Sequence, residues 1–236
     1  MAAIGVLQKA RSNGRTLLTE VESKELVKES GIPVVETRLA CSKAGAVSIA
    51  RKIGLPVVLK IVSPDVIHKS DVGGVKIGLA TLGQVRAAYD SIISSIKATM
   101  PSASILGVSV QRMAQPGVEV IIGSIKDPQF GHVIMFGLGG VLVEILRDVS
   151  LRLVPLKARD AREMINEIKS VPLLQGYRQY PACDLISIEK AILSISSFLE
   201  NHQEISEMDL NPVICYTDGL VAVDARVVLE ELKPID

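Results

Sequence analysis

Two groups of residues in this 236-residue sequence are spaced so that they could do chemistry together. The first is a lysine followed by a histidine in a glycine-bearing loop. Lys60 lies inside the apolar run Pro56-Val-Val-Leu-Lys-Ile-Val62, which reads as a buried strand, and Ile67-His-Lys-Ser-Asp-Val-Gly-Gly-Val-Lys-Ile-Gly78 follows. Glycines let backbone N–H groups approach phosphate oxygens, and a strand-borne lysine supplies fixed positive charge. A loop that only cradles phosphate needs donors, whereas the neutral imidazole of His68 can itself attack phosphorus. The pattern is neither a P-loop nor a dinucleotide fingerprint. Taken alone, the stretch is equally compatible with a solvated lysine and an ordinary turn.

The second group closes the chain. Glu207, Asp209 and Asn211 alternate along a predicted strand and so share one face, with Met208 and Leu210 on the other. Val213 falls by the same count on the polar face. The return strand brings Asp224 to that face if the connecting loop has two residues, either Thr217-Asp218 or Asp218-Gly219. A three-residue loop would turn it away. Two carboxylates and an amide oxygen are hard ligands of the kind Mg²⁺ uses beside substrate phosphates. The competing reading is a solvated face of an edge hairpin.

The elements that must position these groups follow from capping and periodicity. Thr19-Glu-Val-Glu22 reads as a capping box opening a helix that stops at Gly31. A strand is expected over Pro33–Leu39, a helix from Ser42 to Gly54, the Lys60 strand, a strand over Val75–Ala80 and a helix over Leu82–Ile96. After Pro101 come strands over Ile105–Met113, Gly117–Lys126, Gly131–Phe136, Val141–Leu146 and Leu151–Leu156. Helices over Arg159–Lys169 and Ser187–Asn201 precede a final strand pair, Ile205–Tyr216 and Leu220–Ala225. Mostly antiparallel strands with helices kept apart make the class α+β.

Composition narrows the function. The 26 basic and 26 acidic residues balance, so no net field draws the molecule to nucleic acid or an anionic membrane. Three Phe, four Tyr and no Trp argue against base stacking. Hydrophobic residues at 48% and charged residues at 22% suit a full core. Cys41, Cys183 and Cys215 have no metal-ligand spacing and read as buried small hydrophobes in a reducing compartment. Met1–Ala10 is too short and too weakly apolar for a secretory signal. The longest uncharged apolar run, Val133–Val143, is broken by three glycines and falls short of a membrane span. A soluble cytoplasmic protein is expected, with neither nucleic acid nor membrane as partner.

Further motifs join the first two: Gln111-Arg-Met with Glu119 downstream, Asp127-Pro-Gln-Phe-Gly-His132, Phe136-Gly-Leu-Gly-Gly-Val-Leu-Val-Glu-Ile-Leu-Arg-Asp-Val-Ser150 and Glu207-Met-Asp-Leu-Asn-Pro-Val213. In this order they resemble the β subunit of ADP-forming (NDP-forming) acetyl-CoA synthetase, an ATP-grasp unit, and more distantly the succinyl-CoA synthetase β subunits. The resemblance runs from about Thr16 to Val228 and departs at Gln179, where glycine is expected. It implies an ATP-grasp fold of two α+β lobes with nucleotide between them. Residues 16–104 would form the lobe bearing the phosphohistidine loop, and 105–230 the lobe bearing the Mg²⁺ hairpin.

The resemblance also implies roles. Lys60 would contact the α-phosphate region of ATP or ADP, and Gly73 and Gly74 would let the loop close over phosphates. Gln111, with the backbone of Arg112, Met113 and Ala114, would line the adenine hinge, and Glu119 would take the ribose. Asn211 and Asp224, helped by Asp209, would hold Mg²⁺. Glu144 and Asp148 would lie near the phosphate site as candidates to orient the loop. His68 would be phosphorylated, receiving phosphate from a histidine on a separate CoA- and acyl-binding α subunit (in an α2β2 assembly or a fused equivalent) and passing it to ADP. The implied reaction is acyl-CoA + ADP + phosphate ⇌ carboxylic acid + ATP + CoA. Histidine is neutral and nucleophilic near pH 7, and a phosphoramidate keeps the transfer potential that a serine phosphoester would lose. An autonomous ATP-grasp carboxylate ligase is the main alternative. It would need no loop histidine and would carry a further substrate lobe. A non-catalytic ATP-binding module would be expected to lack some of Lys60, Asn211 and Asp224, all of which are present.

Overall fold

The computed structural model describes residues 2–66, 68–140, 148–178 and 181–231. Helices α1 (Ala2–Ser12) and α2 (Glu20–Glu29) open the chain, which divides into two compact units. The smaller comprises Thr19–Val21 and Val35–Gln115. Its strands β1 (Thr37–Ala40), β2 (Val57–Val62), β3 (Val75–Leu79) and β4 (Gly107–Arg112) pair antiparallel in the order β1-β4-β2-β3. Helix α3 (Lys43–Ile53) starts where the Ser42 hydroxyl accepts from Gly45 N, and α4 (Leu82–Thr99) starts at a reciprocal cap between Thr81 and Gln84. Val85, Ala88, Ile92 and Ile96 make the buried stripe of α4 and pack with Val57, Leu59, Ile61, Val108 and Val110. Alternate residues of β2 and β4 therefore face the helices. Lys60, Ser109 and Gln111 face the other way, and all three are nonetheless buried.

The larger unit comprises Met1–Leu18, Glu22–Val34 and Pro116–Asp236. Its antiparallel sheet contains β5 (Val118–Asp127), β6 (Gly131–Leu138), β7 (Val149–Leu153), β8 (Ile205–Tyr216), β9 (Gly219–Ala222) and β10 (Arg226–Leu229). The order is β10-β8-β5-β6-β7, with β9 also on β8. Helices α5 (Ala158–Glu167), α6 (Val171–Leu174) and α7 (Leu185–Asn201) complete it. Phe136, Met164, Ile188, Ile192 and Leu210 lie fully inside its core.

Two departures from the sequence reading share one cause, Pro212. A proline cannot donate to a ladder. Where it sits, the β5–β8 register shifts between Val120 and Ile122, and the return strand divides into β9 and β10 rather than running over Leu220–Ala225. The extra residue turns Val213 into the core beside Leu210, where it is fully buried, instead of onto the polar face. The strand expected over Pro33–Leu39 shrinks to Thr37–Ala40, while Val34 makes an isolated bridge to Ala222. Cys41 is exposed because it sits in the bend after β1, whereas Cys183 and Cys215 are buried. Helix α1, which the sequence reading did not anticipate, buries Val6, Leu7 and Ala10. The expected strand Val141–Leu146 lies outside the described residues, as do Glu144 and Gln179.

His132 on β6 is 3% exposed, and neither ring nitrogen has a hydrogen-bond partner. Burial holds its pKa below the ordinary imidazole value, Lys126 adds to this and Glu230 opposes it. The unfolded chain therefore binds a proton that the folded chain resists, so stability falls as pH drops below about 6.5. Thermal melts between pH 7.5 and pH 5 should show His132→Phe losing less stability than the wild type on acidification. Equal losses would mean that His132 charges without cost in the fold.

Candidate functional site

In the smaller unit the chemistry gathers around one carboxylate. Glu20 Oε1 accepts from Lys60 Nζ at 2.8 Å, and Glu20 Oε2 accepts from Lys69 Nζ at 3.0 Å. The Glu20 side chain is 1% exposed and that of Lys60 9%, so the pair is removed from water. Every residue of β2 is buried, which leaves Lys60 dependent on such a partner. Removing one member of a buried ion pair typically costs about 3–5 kcal/mol, because the other charge stays behind. Lys69 follows His68 directly, and His68 is exposed. Glu20 went unnoticed in the sequence because forty residues separate it from Lys60 and its only local signal was an acidic helix start.

The loop after His68 is folded onto the sheet and α4. Gly74 N donates to Lys69 O at 2.7 Å and Gly73 N to Ser70 O at 3.1 Å, while Ile61 N donates to Gly74 O at 2.7 Å. A Cβ on Gly74 would lie 2.6 Å from Ile61 Cγ2 and 2.8 Å from Lys69 O. Gly73 has φ +70°, and a Cβ there would lie 2.8 Å from Ser95 Oγ. Ser95 Oγ in turn donates to Val72 O. Both glycines are thus required by packing, and both amides serve loop closure in this structure. Gln111 is buried on the same sheet face as Lys60, two register pairs along β4. Arg112 N donates to Glu36 O and Met113 N to Pro56 O, and these bonds fix the backbone leading to Ala114.

In the larger unit the β8–β9 turn has two residues, Thr217-Asp218, between the paired Tyr216 and Gly219. Val213 pairs with Ala222 and Asp209 with Arg226, so Asp224 falls across from Asn211 between those pairs. Asn211 is exposed, and Asp224 and Asp209 are partly buried. The Asp209 carboxyl is pushed up to about 6, chiefly by burial. Arg226 opposes the shift, and the nearby charges of Asp224 and Glu207 add to it. A bound cation would relieve that crowding, and the oxygen donors suit Mg²⁺. Among the described residues no three His, Cys, Asp or Glu side chains form a metal-holding group.

Glu119 is exposed on β5, where Gly139 N donates to its carbonyl oxygen at 2.7 Å. Phe136, Gly137 and Leu138 belong to β6, and the Gly139 bond to Glu119 carries the β5–β6 ladder one pair further. Asp148 accepts from Lys169 N, Ser170 N and the Ser170 hydroxyl. Burial alone would raise its carboxyl, and those bonds bring it below the usual range, so its visible role is to anchor the turn before α6.

The ATP-grasp domain family matches residues 9–229. The β subunit of the ADP-forming acetate–CoA ligase I of Pyrococcus furiosus is 44% identical over 224 residues, covering 95% of this chain and 96% of that one. The single-chain ADP-forming acetate–CoA ligase I of Archaeoglobus fulgidus is 44% identical over 93% of this chain, which spans 32% of its length. The acetyl-coenzyme A synthetase 1 of Ca. Korarchaeum cryptofilum, solved with coenzyme A and Ca-AMPCP, has 51% identity and a TM-score of 0.93, covering 96% of this chain and 99% of that one. The same enzyme with Mg-AMPPCP has its phosphohistidine segment pointing towards the nucleotide binding site, at TM-score 0.86 and 48% identity over 97% of this chain and 100% of that one. This chain belongs to the ATP-grasp family and, within it, to the β subunits of ADP-forming acetate–CoA ligases.

Proposed function

We propose that this chain is the nucleotide-handling half of an ADP-forming acyl-CoA synthetase and that His68 relays phosphate between an α-subunit phosphohistidine and ADP. The observation that carries this is an exposed imidazole on a backbone anchored at the next residue, with a buried lysine tied into the same anchor. In the ATP-forming direction the partner's N–P bond breaks as the His68 imidazole bonds to phosphorus. That bond then breaks as an oxygen of the ADP β-phosphate attacks. Each step exchanges one bond to phosphorus for another, so both run in either direction. The sum is acyl-CoA + ADP + phosphate ⇌ carboxylic acid + ATP + CoA.

Lys60 serves the α-phosphate region. Gln111 with the backbone of Arg112, Met113 and Ala114 serves the adenine, and Glu119 the ribose. The loop through Gly73 and Gly74 closes over the phosphates. Asn211, Asp224 and Asp209 hold Mg²⁺, which when bound neutralises phosphate charge. The phosphohistidine segment aimed at the nucleotide site in the Korarchaeum relative supports a donor on a second subunit. The longer Archaeoglobus chain, of which this chain spans 32%, supports an α-subunit partner, in an α2β2 assembly or as a fused equivalent. The absence of any helix long and apolar enough to cross a membrane, among the described residues, and the unpaired cysteines fit a cytoplasmic site of action.

Incubation with γ-labelled ATP and Mg²⁺ should place an acid-labile, base-stable label on the chain, and His68→Ala should abolish it. Label surviving that substitution would refute the relay. Asp224→Ala should weaken Mg²⁺–nucleotide binding by at least about tenfold, or about 1.4 kcal/mol. Its melting temperature should stay near that of the wild type, because Asp224 lies outside the core. A large melting loss with binding retained would assign Asp224 to structure instead.

A further inference from the structure

We infer that Glu20 is a positioning residue for His68: its one carboxylate, shared between Lys60 and Lys69, fixes the loop that presents the imidazole. This rests on the relay proposed above and adds a residue to which that relay assigns no role.

Each oxygen of Glu20 takes a different cation, Oε1 the strand lysine at 2.8 Å and Oε2 the loop lysine at 3.0 Å. Lys69 is therefore held twice, at its ammonium by Glu20 and at its carbonyl by Gly74 N. His68 is joined directly to this doubly held residue, while its own side chain stays exposed. The backbone at the base of the imidazole is fixed, and the ring is left accessible to a donor.

Both ammonium groups lean on the same carboxylate. Without Glu20 the two lysines would repel each other, and Lys69, whose side chain is 23% exposed, would swing out into water. A buried ion pair can also exist for stability alone, but the Lys60–Glu20 contact would then suffice. The Lys69 contact is the part that reaches the loop.

The test cuts that contact from its exposed end. Lys69→Met leaves the Lys60–Glu20 pair in place, so the variant remains informative even if Glu20→Gln fails to fold. Hydrogen exchange of the full-length chain should speed up at the amides of residues 68–74 by about tenfold or more, with β2 and β4 unchanged. Single-turnover labelling of His68 from γ-labelled ATP should slow by about tenfold or more in Lys69→Met, since small misplacements of a reacting group cost that much. Unchanged loop exchange in Lys69→Met, or faster loop exchange with His68 labelling unslowed, would overturn the positioning role. If the wild type takes no label at His68, the relay itself fails, and loop exchange alone then decides whether Glu20 holds the loop.

Discussion

A cation on a strand buried along its whole length must find its counter-charge inside the protein. All six residues of β2 are buried, and the fourth is Lys60. Leaving that ammonium uncompensated would cost several kcal/mol. The neighbourhood of the candidate site follows from meeting this demand. Glu20 is brought from forty residues away and sealed at 1% exposure, and its second oxygen binds Lys69. Tying Lys69 to Glu20 brings the following loop against β2, where only glycine fits at position 74 because of Ile61 and the Lys69 carbonyl. The exposed histidine thereby adjoins a residue held at both its ammonium and its carbonyl.

The larger unit meets a different constraint with the same economy of residues. Pro212 cannot join the ladder of β8, so the register slips against β5 and the return strand breaks into β9 and β10. The slip keeps the aliphatic residues of β8 in the core on both sides of the break. The return strand keeps one register across the break, Val213 with Ala222 and Asp209 with Arg226, which puts Asp224 across from Asn211. Asp209, Asp224 and Glu207 crowd negative charge there against a single nearby arginine, Arg226.

Much of this was legible in the sequence where the signal was local. The cap at Ser42, the buried strand around Lys60 and the alternation of Glu207, Asp209 and Asn211 are short-range patterns with short-range causes, and the closing turn took one of the placements left open, Thr217-Asp218. What the sequence concealed depends on partners far apart in the chain. Nothing near residue 20 announces an ion pair with residue 60, and period-two counting cannot foresee that a proline shifts Val213 into the core. The packing role of Gly73 and Gly74 was hidden for the same reason, because Ser95 and Ile61 impose it from other elements. The order of motifs pointed to the family, and the match across residues 9–229 agrees with it.

Transfer from His68 to nucleotide is tested most directly by a chase. The chain is labelled with γ-labelled ATP and Mg²⁺, freed of nucleotide by gel filtration, and mixed with unlabelled ADP and Mg²⁺. Label should leave the protein within a single turnover and be recovered as ATP. Label that stays on the protein, or leaves only as free phosphate, would contradict the relay.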